Sequence, residues 1–189
     1  MSGDISDKQG KILIELARKT LEHRLMNGDQ LAESDEAEML ERAAVFVTLK
    51  RKGKLRGCIG NLTPVSSLWQ AVRDNAINAA FNDHRFSPLT LEELLEVRLD
   101  ISVLSKPEKL QYSGAEELLL KLRPGIDGVT LRDGHQSATF LPQVWKQLPG
   151  ADQFLNHLCM KAGLAKDLWR QKDVDVEIYQ VQSFQEETE

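Results

Sequence analysis

Val45, Val47 and Leu49 alternate with Phe46, Thr48 and Lys50, a period of two that commits this segment to a strand with one buried face. Arg51-Lys52-Gly53 then turns the chain, and residues 54–60 read as the returning strand of a hairpin. Ahead of the hairpin, Ile12, Leu13, Leu16, Ala17, Leu21 and Leu25 form an apolar stripe at helical spacing. Residues 6–27 therefore read as a helix, with Asn27-Gly28 as its stop. Residues 29–42 read as an acidic loop with a short helix.

After the hairpin, Leu68, Trp69, Val72, Ala76, Ala79 and Ala80 give a helix a buried face running to Asn82, and Pro64 is placed to open it. A short helix over residues 89–96 is capped by Thr90. Residues 97–104 make a second clear strand, with Leu99, Ile101 and Val103 on one face. A helix over 114–120 precedes a second hairpin around Arg132-Asp133-Gly134-His135. Pro142 opens a helical stretch through Trp145, residues 152–163 form a helix ended by Gly163, and residues 173–184 form a closing strand. The acidic residues 185–189 are expected to fray. Strands and helices do not alternate regularly, so the class is α+β, with mostly antiparallel hairpins packed with helices. A chain of 189 residues fits one compact unit of two intimately packed lobes. Trp69, Trp145 and Phe140 are expected in the core.

The two hairpins echo one another. Val47-Thr48-Leu49 and Val129-Thr130-Leu131 each lead through a polar turn to a strand, a proline and a helix holding a tryptophan. A duplicated unit produces this pattern; so does chance, because these are common words of structure.

Composition excludes several classes. A hydrophobic fraction of 41% beside 28% charge is enough to bury a core. No apolar run approaches the roughly 20 residues that cross a bilayer, so no membrane partner is expected. The N-terminal MSGDISDKQG has no apolar core and does not read as a secretory signal. Cys58 and Cys159 form no CxxC pair, which fits a reducing, cytoplasmic setting. His157 and Cys159, two apart on a helix, point in different directions and should not chelate one metal. His135 reads as a turn residue, and His23 lies on the polar side of the first helix. No metal and no cofactor are expected, and no HExxH, P-loop, GxSxG or GxGxxG pattern occurs.

Residues 50–60, KRKGKLRGCIG, carry the strongest functional signal. Alternation puts Leu55, Gly57 and Ile59 on the core face, and Lys54, Arg56, Cys58 and Gly60 on the other. Arg56 and Cys58 then project side by side, and a guanidinium favours the thiolate, making it a nucleophile or soft ligand. Lys50, Arg51, Lys52, Lys54 and Arg56 attract phosphates or carboxylates. Gly57 and Gly60 leave room for a ligand or another backbone. Read as structure alone, the lysines are a solvated tip, Arg56 pairs with a carboxylate, and Cys58 is a small buried hydrophobe. A second cluster, Asn82-Asp83-His84-Arg85-Phe86, offers His84 as an acid or base near Cys58. Its structural reading has Asp83 closing a turn, Arg85 in an ion pair and His84 exposed.

Leu55-Arg56-Gly57-Cys58-Ile59-Gly60 resembles the signature of the AMMECR domain family. The resemblance continues through Val45-Phe46-Val47-Thr48-Leu49, the residues Asp83, Arg85, Phe86 and Pro88, and Ile101-Ser102-Val103-Leu104. It runs on through Asp127-Gly128-Val129, Phe140-Leu141-Pro142-Gln143-Val144-Trp145 and Lys161-Ala162-Gly163-Leu164. The chain looks like the stand-alone bacterial form associated with the AmmeMemoRadiSam system, with residues 5–184 as a single AMMECR-like domain. The resemblance implies an α+β fold of two packed lobes, a cleft beside the signature, and partnership with Memo-like and radical S-adenosylmethionine proteins. It supplies no reaction.

Three functions compete. The first is an accessory or adaptor module that docks such partners around Arg56 and Arg85. The alternative is an enzyme acting on a small anionic or nucleotide-like substrate. There Cys58 is nucleophile or redox thiol and His84 the base, while Arg56, Gly57, Gly60 and Arg85 bind the ligand. Nucleic-acid binding by the basic hairpin is weakest, because the net charge is −5 and no aromatic residues interleave the lysines.

Overall fold

Ser6 opens the first helix as predicted. Its hydroxyl caps Gln9 N–H while the Gln9 side chain returns to the Ser6 backbone, a capping box that starts α1 (Asp7–Leu25). Leu13, Leu16, Ala17 and Leu21 are its buried stripe. This computed structural model describes residues 5–26 and 40–187. The Asn27-Gly28 stop and residues 29–39 of the acidic segment lie outside the described residues.

The chain divides into two compact units, residues 1–105 with 182–189 and residues 106–181. In the first, β1 (Ala44–Arg51) and β2 (Lys54–Gly60) form the expected antiparallel hairpin. β3 (Val97–Leu104) pairs antiparallel with β1, and β8 (Val181–Gln185) completes a sheet of order β2-β1-β3-β8. Val45, Val47, Leu49, Leu99, Ile101 and Val103 turn inward against α1 and α2 (Leu68–Ile77). Ser67 caps α2, so Pro64 precedes the helix without opening it. The expected helix to Asn82 widens into a π-helix over Asn78–Asn82. The four-residue α3 (Leu91–Leu94) follows, held by a capping box between Thr90 and Glu93.

The second unit holds β4 (Glu108–Lys109), α4 (Gly114–Lys121), β5 (Gly128–Asp133) and β6 (Gln136–Phe140). It continues with a 3-10 turn over Pro142–Lys146, α5 (Ala151–Lys161), α6 (Leu168–Gln171) and β7 (Asp175–Tyr179). Its sheet has the order β4-β7-β5-β6, and the pairings among these strands are antiparallel. Pro142 does open its turn, and Gly163 closes α5 with φ of 77°. The core gathers Leu118, Val129, Leu131, Trp145, Phe154, Leu155, Leu158 and Trp169.

Each sheet places the second hairpin strand at its edge, the first beside it, and a later strand third, which extends the echo seen in sequence. The match reaches side chains: Thr48 faces Cys58 across the first hairpin, and Thr130 faces Thr139 across the second.

Two expectations about the C-terminus change. The closing strand is two strands, because β7 ends at Tyr179 in one sheet and β8 starts at Val181 in the other. The terminus is held as far as Glu187: Glu186 binds Arg18 and the Leu99 backbone, and Glu187 meets Lys11 and Arg98. Among the described residues no helix is long and apolar enough to cross a membrane.

Candidate functional site

β2 does not keep strict alternation. Leu49 faces Gly57 but Lys50 faces Leu55, so Arg56 is an extra residue, a bulge in the signature strand. The bulge inverts the expected facing at its start: Leu55 is exposed and Arg56 is buried. Arg56 therefore does not project beside Cys58 as its neighbour on one face. Its Nε and Nη2 donate to the two Glu93 carboxylate oxygens at 3.2 and 2.8 Å, and Nη2 also donates to the Ser87 carbonyl. The Arg56 guanidinium holds the Glu93 carboxyl below its ordinary range against the opposing effect of burial.

Glu93 also receives Arg51, which turns its Nε to Glu96, and Lys52 reaches Glu96 at 3.8 Å. Lys50 pairs with Asp100. The basic run is therefore largely matched by carboxylates of α3, of the turn that follows it and of β3.

Cys58 is half-buried. Its Sγ lies 3.3 Å from the Thr48 hydroxyl, its N–H donates to Asp83 Oδ2 at 2.9 Å, and its carbonyl accepts from Arg85 Nη2 at 3.2 Å. Asp83 is almost fully buried and receives Nε, Nη2 and the backbone N–H of Arg85. The Arg85 guanidinium holds its carboxyl far below the ordinary range, although burial opposes ionisation. Asp83 thus orders a small knot: it fixes the Cys58 peptide and the Arg85 side chain together. His84 is exposed and makes no hydrogen bond or ion pair among the described residues. The structure joins Cys58 to Thr48, Asp83 and Arg85, and does not pair it with His84.

The two glycines are explained by packing within the chain. A Cβ on Gly57 would lie 2.1 Å from the Ala79 carbonyl oxygen, and one on Gly60 would strike the Phe46 ring and the Val45 carbonyl. The space beside Gly57 is filled by the π-helix backbone, which no rotamer change can relieve. Gly57→Val is expected to lower stability by about 1–3 kcal/mol or more. A melting curve unchanged from wild type would show that the π-helix yields without cost.

Phe86 is within cation–π reach of both arginines, its ring centroid 5.8 Å from Arg56 Cζ and 5.5 Å from Arg85 Cζ. Thr48 and Glu93 join the site without having been singled out in sequence. Glu93 had one local signal, its place three residues after Thr90 in a capping box, but that pattern gives no hint of Arg56. An open groove of about 710 Å³ lies elsewhere in the first unit, lined by α1 and residues 183–187, and includes none of the signature. Among the described residues no cluster of three or more His, Cys, Asp or Glu side chains could hold a metal.

Known proteins resemble the chain along nearly its whole length. The AMMECR1 family model matches residues 14–184. A Methanopyrus kandleri protein is 36% identical, over 99% of this chain and 93% of its own length. A Methanosarcina acetivorans protein is 39% identical, over 96% of this chain and 94% of its own. The crystal structure of an uncharacterized protein from Pyrococcus horikoshii superposes with a TM-score of 0.84 at 36% identity, covering 97% of this chain and 94% of that one.

Proposed function

Because the chain belongs to the AMMECR1 family, we propose that it is an accessory module that docks a protein partner beside its signature strand. The observation that carries this reading is a set of three exposed leucines close in sequence to the residues of the Arg56–Glu93 clamp. Leu55 adjoins Arg56, while Leu91 and Leu95 flank Glu93 at two residues on either side; all three are exposed, Leu95 at 87%. Large aliphatic side chains left in water beside a rigid, charge-locked platform suit a partner that covers them. The clamp presets the platform, so little ordering is needed on docking. Memo-like and radical S-adenosylmethionine proteins are the partner classes that the family resemblance supplies.

The enzyme reading has one observation in its favour, the half-buried thiol of Cys58 beside the exposed Arg85. Against it, the side-chain partner of that thiol is a threonine hydroxyl, not a base. Titration calorimetry of the purified protein with a purified Memo-like protein separates the two. Leu95→Asp is expected to weaken binding by about tenfold or more, since a desolvated apolar anchor is worth over 1.4 kcal/mol, with the melting temperature unchanged. Cys58→Ser is expected to leave affinity intact. Affinity unmoved by Leu95→Asp and Leu91→Asp would sink the docking surface. Loss of cellular function in Cys58→Ser, with fold and partner binding preserved, would favour thiol chemistry.

A further inference from the structure

Arg56 is the most buried cation of the signature region, its side chain only 9% exposed. Nε and Nη2 are fully engaged, but Nη1 is buried and has no acceptor among the described residues. Buried charged donors are nearly always satisfied, because an unmade hydrogen bond there forfeits the full solvation of the group. The charge count points the same way. Arg51, Lys52 and Arg56 share two carboxylates, Glu93 and Glu96, so the cluster around Arg56 is net positive. Arg85 commits Nε and Nη2 to Asp83 and Cys58, while among the described residues its Nη1 makes no hydrogen bond, and nearly half its side chain is in water. The half-buried Phe86 ring is within cation–π range of both guanidinium groups.

We propose that Arg56 and Arg85 form a carboxylate-binding site with Phe86 as its movable cover. The ring turns aside, and one carboxylate oxygen accepts from Arg56 Nη1 while Arg85 Nη1 steadies the other. A carboxylate matches the planar donor groups. A phosphate dianion carries a larger dehydration cost. The carboxylate has two sources, a free small acid or an acidic side chain of a protein, and the site stands whether or not a partner docks on the leucines.

The test follows the Arg56 and Arg85 Nε–H resonances by NMR during titration with sodium acetate, against sodium chloride and sodium phosphate at matched ionic strength. Acetate is expected to shift both resonances saturably, and chloride and phosphate to shift neither. Phe86→Ala, which removes the cover without touching either guanidinium, is expected to retain or tighten acetate binding. Arg85→Gln is expected to weaken it about tenfold, the worth of one charge-assisted hydrogen bond. A blocked tripeptide with one central glutamate distinguishes the sources: binding as tight as acetate admits a protein side chain, and no binding restricts the site to free acids. Saturable phosphate binding at Arg56 would overturn the assignment to carboxylates. An unresponsive Arg56 resonance in both wild type and Phe86→Ala, with an ordered water on Nη1 in crystals, would overturn the site itself.

Discussion

Glu93→Ala is expected to destabilise the first unit by about 3–5 kcal/mol, the usual cost of stripping the partner from a buried charge. For a chain of this size that is a fall of about 6–20 °C in melting temperature. The cause is specific. Arg56 would keep its burial and its bond to the Ser87 carbonyl but lose both carboxylate oxygens. Thr90 would lose the reciprocal half of its capping box, and Arg51 one of its two partners. Glu93→Gln, which keeps the cap and one acceptor oxygen, should cost less. Replacing both ends, as in Arg56→Met with Glu93→Leu, should recover much of the loss, because no ion is then left buried. Thermal and urea melts of the four proteins decide it. If Glu93→Ala costs under about 1 kcal/mol, the clamp is no stronger than an exposed pair.

Trp145→Ala carries the second large effect, about 3–5 kcal/mol in the other unit. The indole is 3% exposed and stacks on Phe154 with ring centroids 3.7 Å apart and planes within 6°. Its Nε1 donates to the Asp127 carbonyl at 2.7 Å, so truncation leaves a cavity and an unpaired buried acceptor together. Trp145→Phe keeps the stack but orphans the same acceptor, and should cost less than the alanine, about 1–3 kcal/mol. Trp69, equally expected in the core from sequence, is only partly buried, so its truncation should cost less than that of Trp145. Loss of near-ultraviolet dichroism alongside the melts locates the damage. Equal costs at the two tryptophans would contradict the difference in their burial.

Sequence pattern went furthest where neighbours along the chain decide the outcome. The stripe of α1, the alternation of Val45, Val47 and Leu49, and the turn at Arg51-Lys52-Gly53 all stand in the structure. The inside–outside assignment of Leu55 and Arg56 failed because a one-residue bulge reverses the facing of the residues on one side of it, and a bulge is a property of pairing between strands. Residues 173–184 look like one strand because both halves favour extended backbone, and nothing local marks the change of sheet after Tyr179. Trp169, among the largest fully buried side chains, sits on a four-residue helix too short to show a stripe. At the candidate site, the ion pairs of Arg56 and Arg85 and the exposure of His84 agree with the structural reading of those residues. Glu93 lies 37 residues from Arg56, beyond any spacing rule.

The knot at Cys58 has a further consequence. β2 is the outer strand of its sheet, where unpaired peptide groups ordinarily invite another chain to add itself alongside. At Cys58 both peptide groups are already taken, the N–H by the Asp83 carboxylate and the C=O by the Arg85 guanidinium. Two side chains thus stand where a neighbouring strand would lie. The most distinctive strand of the molecule is thereby shielded from edge-to-edge aggregation by the same residues that shape its surface.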